Sequence, residues 1–77
     1  MEATVDQFKK LMERWILCVQ NNPDWRLGQA LMNATYEVDK TLSKILVDEH
    51  IHDTYYHDDR IHNTLIYMAK YYHVEGV

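Results

Sequence analysis

The stretch Asn22-Pro23-Asp24-Trp25-Arg26-Leu27-Gly28-Gln29-Ala30-Leu31-Met32-Asn33 decides the fold. It holds the only proline, one of the two glycines and one of the two tryptophans. Proline has no N–H to donate, so the Asn21-Asn22-Pro23 turn ends any helix that precedes it. Asp24 is a good N-cap residue, and a second helix is expected to begin near Trp25 or Arg26. Gly28 then falls in the first turns of that helix, where it costs about 1 kcal/mol relative to alanine. A glycine kept there permits close approach of another backbone or a bulky ring, with Trp15 and Trp25 as candidates. The stretch reads as the junction of two helices.

On its N-terminal side, Thr4-Val5-Asp6-Gln7 fits a capping box. Val5, Phe8, Leu11, Met12, Trp15, Ile16 and Val19 follow at steps of three and four, one stripe of a helix over about residues 5–20. Cys18 lies at the edge of that stripe and reads as a small core residue. On the C-terminal side, Leu27, Ala30, Leu31, Ala34 and Val38 share one face of a helix over about residues 25–38. A turn at Asp39-Lys40-Thr41 precedes a short helical piece near 42–46 carrying Leu42, Ile45 and Leu46. From Val47 to His57 the period fails, and the reading is a polar loop of about ten residues, a length often tied to function. Asp58 is expected to cap a final helix over about residues 59–72, with Ile61, Leu65, Met68 and Tyr72 inward. Gly76 falls past its end. No strand pattern, repeat or linker is present. The expectation is a single all-α domain over 1–77, three main helices and one minor piece.

Composition narrows the function classes. A chain of 77 residues forms a small core, helped where possible by a disulfide, a metal or a second copy. Cys18 is the only cysteine, so no intramolecular disulfide forms, and a free thiol suits a reducing cytoplasm. The opening residues show no basic, apolar signal pattern. No apolar run approaches the ~20 residues of a membrane span. Net charge is −4 and Lys9-Lys10 is the only adjacent basic pair, which argues against nucleic acid as partner.

The pattern Pro23-x-x-Arg26-x-Gly28-Gln29-Ala30-x-x-Asn33, with Asp53-x-x-Tyr56-x-Asp58, Ile61 and Leu65 after it, resembles a group of small uncharacterised proteins from phages, prophages and bacteria. Those proteins carry a Pro-Asp-x-Arg-x-Gly-Gln-x-x-x-Asn stretch and a later Asp-x-Phe-Tyr-x-Asp motif. The resemblance covers about residues 22–66 and rests on the motifs taken together. This chain places Tyr55 where phenylalanine is usual and has extra histidines. The resemblance implies a small cytoplasmic accessory protein of phage or mobile-element type and supplies no activity to carry over.

Three constellations could carry chemistry. His50, His52, His57 and His62, interleaved with Asp53, Asp58 and Asp59, are the residue types that bind zinc, nickel or iron. Against a metal, no His-Glu-x-x-His motif is present, and a solvated loop with local His–Asp pairs explains the same residues. Arg26, Gln29, Asn33 and Glu37 form a polar ridge. It reads first as internal stitching, with Arg26 paired to Asp53, Asp58 or Asp59, and second as a partner-facing strip. The aromatic set is Trp15, Trp25, Tyr36, Tyr55, Tyr56, Tyr67, Tyr71 and Tyr72; exposed aromatics at helical spacing mark protein contacts more often than cofactors, and Trp25, Tyr55, Tyr56, Tyr67 and Tyr71 are the candidates. Ser43 and Cys18 lack a recognisable base, and Gly28 and Gly76 make no phosphate loop.

The expected function is therefore binding of another protein, with inhibition of a host factor as one form of it, through Trp25, Arg26, Gln29, Asn33, Tyr55, Tyr56, Tyr67 and Tyr71. A homodimer is also expected, and neither enzymatic activity nor a cofactor is. The alternative is a metal- or small-ligand-binding domain using loop 48–62.

Overall fold

A computed structural model describes residues 3–74. The chain forms helices α1 (Ala3–Asn21), α2 (Leu27–Val38), α3 (Lys40–Glu49) and α4 (Ile61–Tyr71), with a 3-10 turn at Asp58–Arg60 leading into α4. There is no strand among the described residues, and the fold is all-α. Gly76 and the side chain of Thr4 lie outside the described residues, and the α1 backbone is already helical at Ala3.

The core is drawn from all four helices. Leu11, Leu31, Met32, Leu42, Leu46, Met68 and Tyr72 are buried together, with Phe8, Trp15, Tyr55 and Leu65 packed around them. Cys18, Ala30 and Ala34 form a second cluster under Trp15, Val19 and Trp25, where the small side chains let α1 and α2 approach closely. The buried face of α1 is narrower than its apolar stripe. Phe8, Leu11, Trp15 and Cys18 turn inward, whereas Val5 and Ile16 stand 42% and 54% exposed. Leu27, expected inward on α2, is 50% exposed.

Asp39 separates α2 from α3 and joins both to α4. Its extended backbone (φ −150°, ψ 92°) breaks the helix, and its Oδ1 accepts from Leu42 N at 3.1 Å, the N-cap of α3. Its Oδ2 accepts from the Tyr72 hydroxyl at 2.7 Å, which fixes the end of α4. With this cap α3 is ten residues long rather than a minor piece at 42–46, comparable with α2 and α4, which have 12 and 11 residues. Val47, Asp48 and Glu49, expected in the loop, complete α3. Their exposed face hides the helical period, and a Lys44–Asp48 pair one turn apart supports it at 3.1 Å.

Candidate functional site

The chain between α1 and α2 is a turn built on asparagine. Asn22 returns both its backbone N (3.0 Å) and its Nδ2 (3.1 Å) to the Cys18 carbonyl, and Trp25 N donates to Asn22 O at 2.9 Å. Asp24 is exposed within this turn and does not cap α2. The helix begins at Leu27 instead, with Arg26 at the N-cap position. An arginine has no acceptor to offer the free amides of a helix start. Those amides are satisfied from elsewhere: Arg26 N donates to Gln29 Oε1 at 3.4 Å, and Gly28 N donates to Asp58 Oδ1 at 2.9 Å. Asp58, expected to cap the last helix, caps α2 from thirty positions away, because a carboxylate gains most where amides and helix dipole converge.

Gly28 is where the two motif regions interlock. It is buried, and its carbonyl accepts from the Thr54 hydroxyl at 2.8 Å. A Cβ at this position would overlap the Thr54 carbonyl oxygen and sit 3.0 Å from Asp58 Oδ1. The close neighbour is thus the backbone of loop 50–57, not the ring of Trp15 or Trp25. Trp15 instead donates its indole N–H to the Leu27 carbonyl at 3.0 Å, which ties α1 to the same first turn.

The loop is held at several points. His50 ends α3 with φ 63° and ψ −46°, and Ile51 N reaches back to Glu49 O at 2.6 Å. This is a γ-turn of the strained, positive-φ kind. Arg60 Nη1 donates to the His50 carbonyl at 2.8 Å, Thr64 donates to the His52 carbonyl at 3.1 Å, and Asp53 Oδ1 accepts from Tyr55 N at 3.0 Å. Thr54 is fully buried at the centre of this arrangement.

On this frame Arg26, Gln29, Tyr55 and Tyr56 come together. Gln29 Nε2 donates to the Tyr55 hydroxyl at 3.3 Å, and the Tyr55 and Tyr56 rings meet edge-on at 4.7 Å. Tyr56 is 70% exposed, and the exposed Arg26 guanidinium lies 5.7 Å from its ring centroid. Arg26 enters no ion pair with Asp53, Asp58 or Asp59 among the described residues. Two of those acids are already occupied, Asp53 by Tyr55 N and Asp58 by Gly28 N. The ion pair on the ridge is Glu37 with Arg14 of α1, at 3.3 Å.

The other expected contact residues stand apart from this cluster. Trp25 is half-buried over Cys18, Ala30 and Ala34, and Asn33 is half-buried on α2. Tyr71 packs on the core with its ring edge-on to Tyr72 at 5.0 Å. Tyr67 is half-buried, stacked on His52 at 4.4 Å, and donates its hydroxyl to Glu49 at 3.2 Å. Burial, and next the Glu49 bond, raise the Tyr67 phenol above its ordinary value. His52 Nδ1 lies 3.1 Å from Glu49 Oε1, and no three His, Cys, Asp or Glu side chains among the described residues gather as a metal site requires. Burial also pushes the Cys18 thiol up, the opposite of an activated nucleophile.

One feature escapes the sequence reading altogether. Trp15, Ile16, Val19, Gln20 and Leu27 line an open apolar groove of about 350 Å³. Ile16 and Leu27 fit the helical period of a core face, so periodicity alone places them inside. No helix among the described residues is long and apolar enough to cross a membrane. Compared with protein-family models, curated proteins and solved structures, the chain matches none.

Proposed function

We propose that this chain is a small cytoplasmic accessory protein, of phage or mobile-element type, that acts by binding another protein through the Arg26–Tyr56 surface. The observation that carries the reading is the exposed guanidinium 5.7 Å from an exposed tyrosine ring, both mounted on the Gly28–Thr54–Asp58 interlock. Arginine and tyrosine supply a large share of the binding energy at protein interfaces. A fixed backbone beneath them lowers the ordering cost of association. The net charge of −4 steers the chain as a whole toward a basic partner, on which Arg26 would meet an acidic or carbonyl group, and covering a functional site of such a partner is a direct way to inhibit a host factor. The origin assigned to the chain rests on its resemblance to the phage and prophage group. The alternative, a metal- or small-ligand-binding domain using loop 48–62, has for its metal form no group of three or more His, Cys, Asp or Glu side chains among the described residues to support it.

The test is capture from host lysate by immobilised wild type and by the Tyr56→Ala and Arg26→Ala variants, each checked for helical content by circular dichroism. A partner bound stoichiometrically by the wild type should bind each folded variant at least about tenfold more weakly, as interface anchors of these types do. No stoichiometric partner, or one held equally by both variants, refutes the reading.

A further inference from the structure

Helix α1 carries apolar surface that the bundle does not use. Val5 and Ile16 are exposed, Met12 and Val19 are half-buried beside them, and the groove of about 350 Å³ opens between this face and Leu27. We propose that a second copy of this chain fills it, with α1 packed antiparallel on α1 about a two-fold axis and Val5 of each protomer seated in the groove of its partner.

The pattern of the face is self-complementary. Val5, Lys9, Met12 and Ile16 follow at steps of four, three and four, an order that is the same read in either direction. Reversing one helix against the other therefore lays Val5 on Ile16 and the aliphatic stem of Lys9 on Met12. Lys9 and Glu13 lie one turn apart at the same margin of this face. A two-fold axis between antiparallel helices brings like margins together, so Lys9 of one protomer meets Glu13 of the other, twice over. Both residues are exposed and enter none of the ion pairs among the described residues. An apolar seam whose flanking charges attract only when the same helix is reversed selects its own copy over a foreign helix.

The size is adequate for a weak dimer. With 19 residues α1 is about 28 Å long, and contact along most of it covers about 500 Å² per protomer. That is about a tenth of the chain's 5170 Å² surface and lies at the lower edge of specific interfaces. The inference does not rest on the Arg26–Tyr56 surface, and the two are tested separately.

Sedimentation equilibrium across a concentration series should show the 9.3 kDa monomer giving way to a species of twice that mass. Ile16→Glu should abolish the dimer with helical content unchanged. Lys9→Glu alone and Glu13→Lys alone each create two like-charge contacts and should weaken the dimer about tenfold. An equimolar mixture of those two variants, or the double variant, should restore it, because each then pairs opposite charges. A wild-type monomer at every concentration overturns the proposal and leaves the groove to a different occupant. A dimer indifferent to Ile16→Glu, or single charge reversals that mixing does not rescue, overturns it equally.

Discussion

Replacing Gly28 by alanine separates helix propensity from tertiary fit, because the two predict opposite signs. Gly28 lies in the first turn of α2, and propensity alone makes alanine more stable there by about 1 kcal/mol. The new Cβ would occupy the place of the Thr54 carbonyl oxygen, which is backbone in a fully buried residue and not the tip of a flexible side chain. Making room means moving loop residues 54–58 off α2 by roughly 1 Å, in a packed interior that does not yield at no cost. That shift lengthens the Thr54 hydroxyl bond to the Gly28 carbonyl, now 2.8 Å, and the Gly28 amide bond to Asp58, now 2.9 Å. Losing both costs about 1 kcal/mol each, and overpacking adds about 1–2 kcal/mol. Set against the gain in propensity, the net destabilisation is about 2–3 kcal/mol, a fall in Tm of about 10–15 °C for a domain of this size. Thermal and urea unfolding followed by circular dichroism measure it, with Thr41→Ala at an exposed helical position as the propensity control. A Gly28→Ala protein as stable as the wild type, or more stable, refutes the interlock.

Two further outcomes follow from the other long-range contacts. Asp39→Ala removes the α3 N-cap and the acceptor of the Tyr72 hydroxyl together, and should cost about 2–3 kcal/mol in urea unfolding; a loss below about 0.5 kcal/mol contradicts the double role. Burial, followed by the bond to Asp39, holds the Tyr72 phenol well above the ordinary tyrosine value. The folded chain thus binds that proton more tightly than the unfolded chain does. Its contribution is complete below the unfolded value of about 10 and is lost as pH rises beyond it. Stability should fall on the alkaline side of pH 10 and fall less steeply in Tyr72→Phe, while Tyr67 and Tyr71, also raised, keep part of the slope. Parallel pH profiles for the two proteins sink this assignment.

The helices were legible because their signals are local. A 3.6-residue apolar period, a proline after two asparagines and the late apolar stripe through Ile61, Leu65 and Met68 each act within a few turns of chain. The helix ends were less so, since capping is a competition among neighbours. Asp24 is by residue type the better cap, yet it stays in the Asn22–Trp25 turn, and α2 starts on Arg26. The exposed end of α3 has the sequence of a loop, because Val47, Asp48 and Glu49 have no buried partner to mark their period. Of the expected contact residues, Arg26, Gln29, Tyr55 and Tyr56 meet in space, and their shared motif regions were the available signal. The apolar groove had no such signal, since Ile16 and Leu27 look like core in any periodic analysis.

What the chain determines by itself is a set of amphipathic helices and the places where they must stop, because turn chemistry and periodicity are encoded within a few residues. What only the tertiary structure decides is which remote acceptor each helix start receives. Arg26 leaves the amides of α2 unmet, and any of several carboxylates is chemically able to serve them. The packing of loop 50–57 against a position without a Cβ selects Asp58, and the return of α4 across the bundle gives Asp39 the Tyr72 hydroxyl. The stretch from Asn22 to Asn33 specifies that something must approach Gly28 closely. Only the assembled core specifies that it is Thr54, since a hydrogen bond depends on distance and angle in space and carries no mark of separation along the chain.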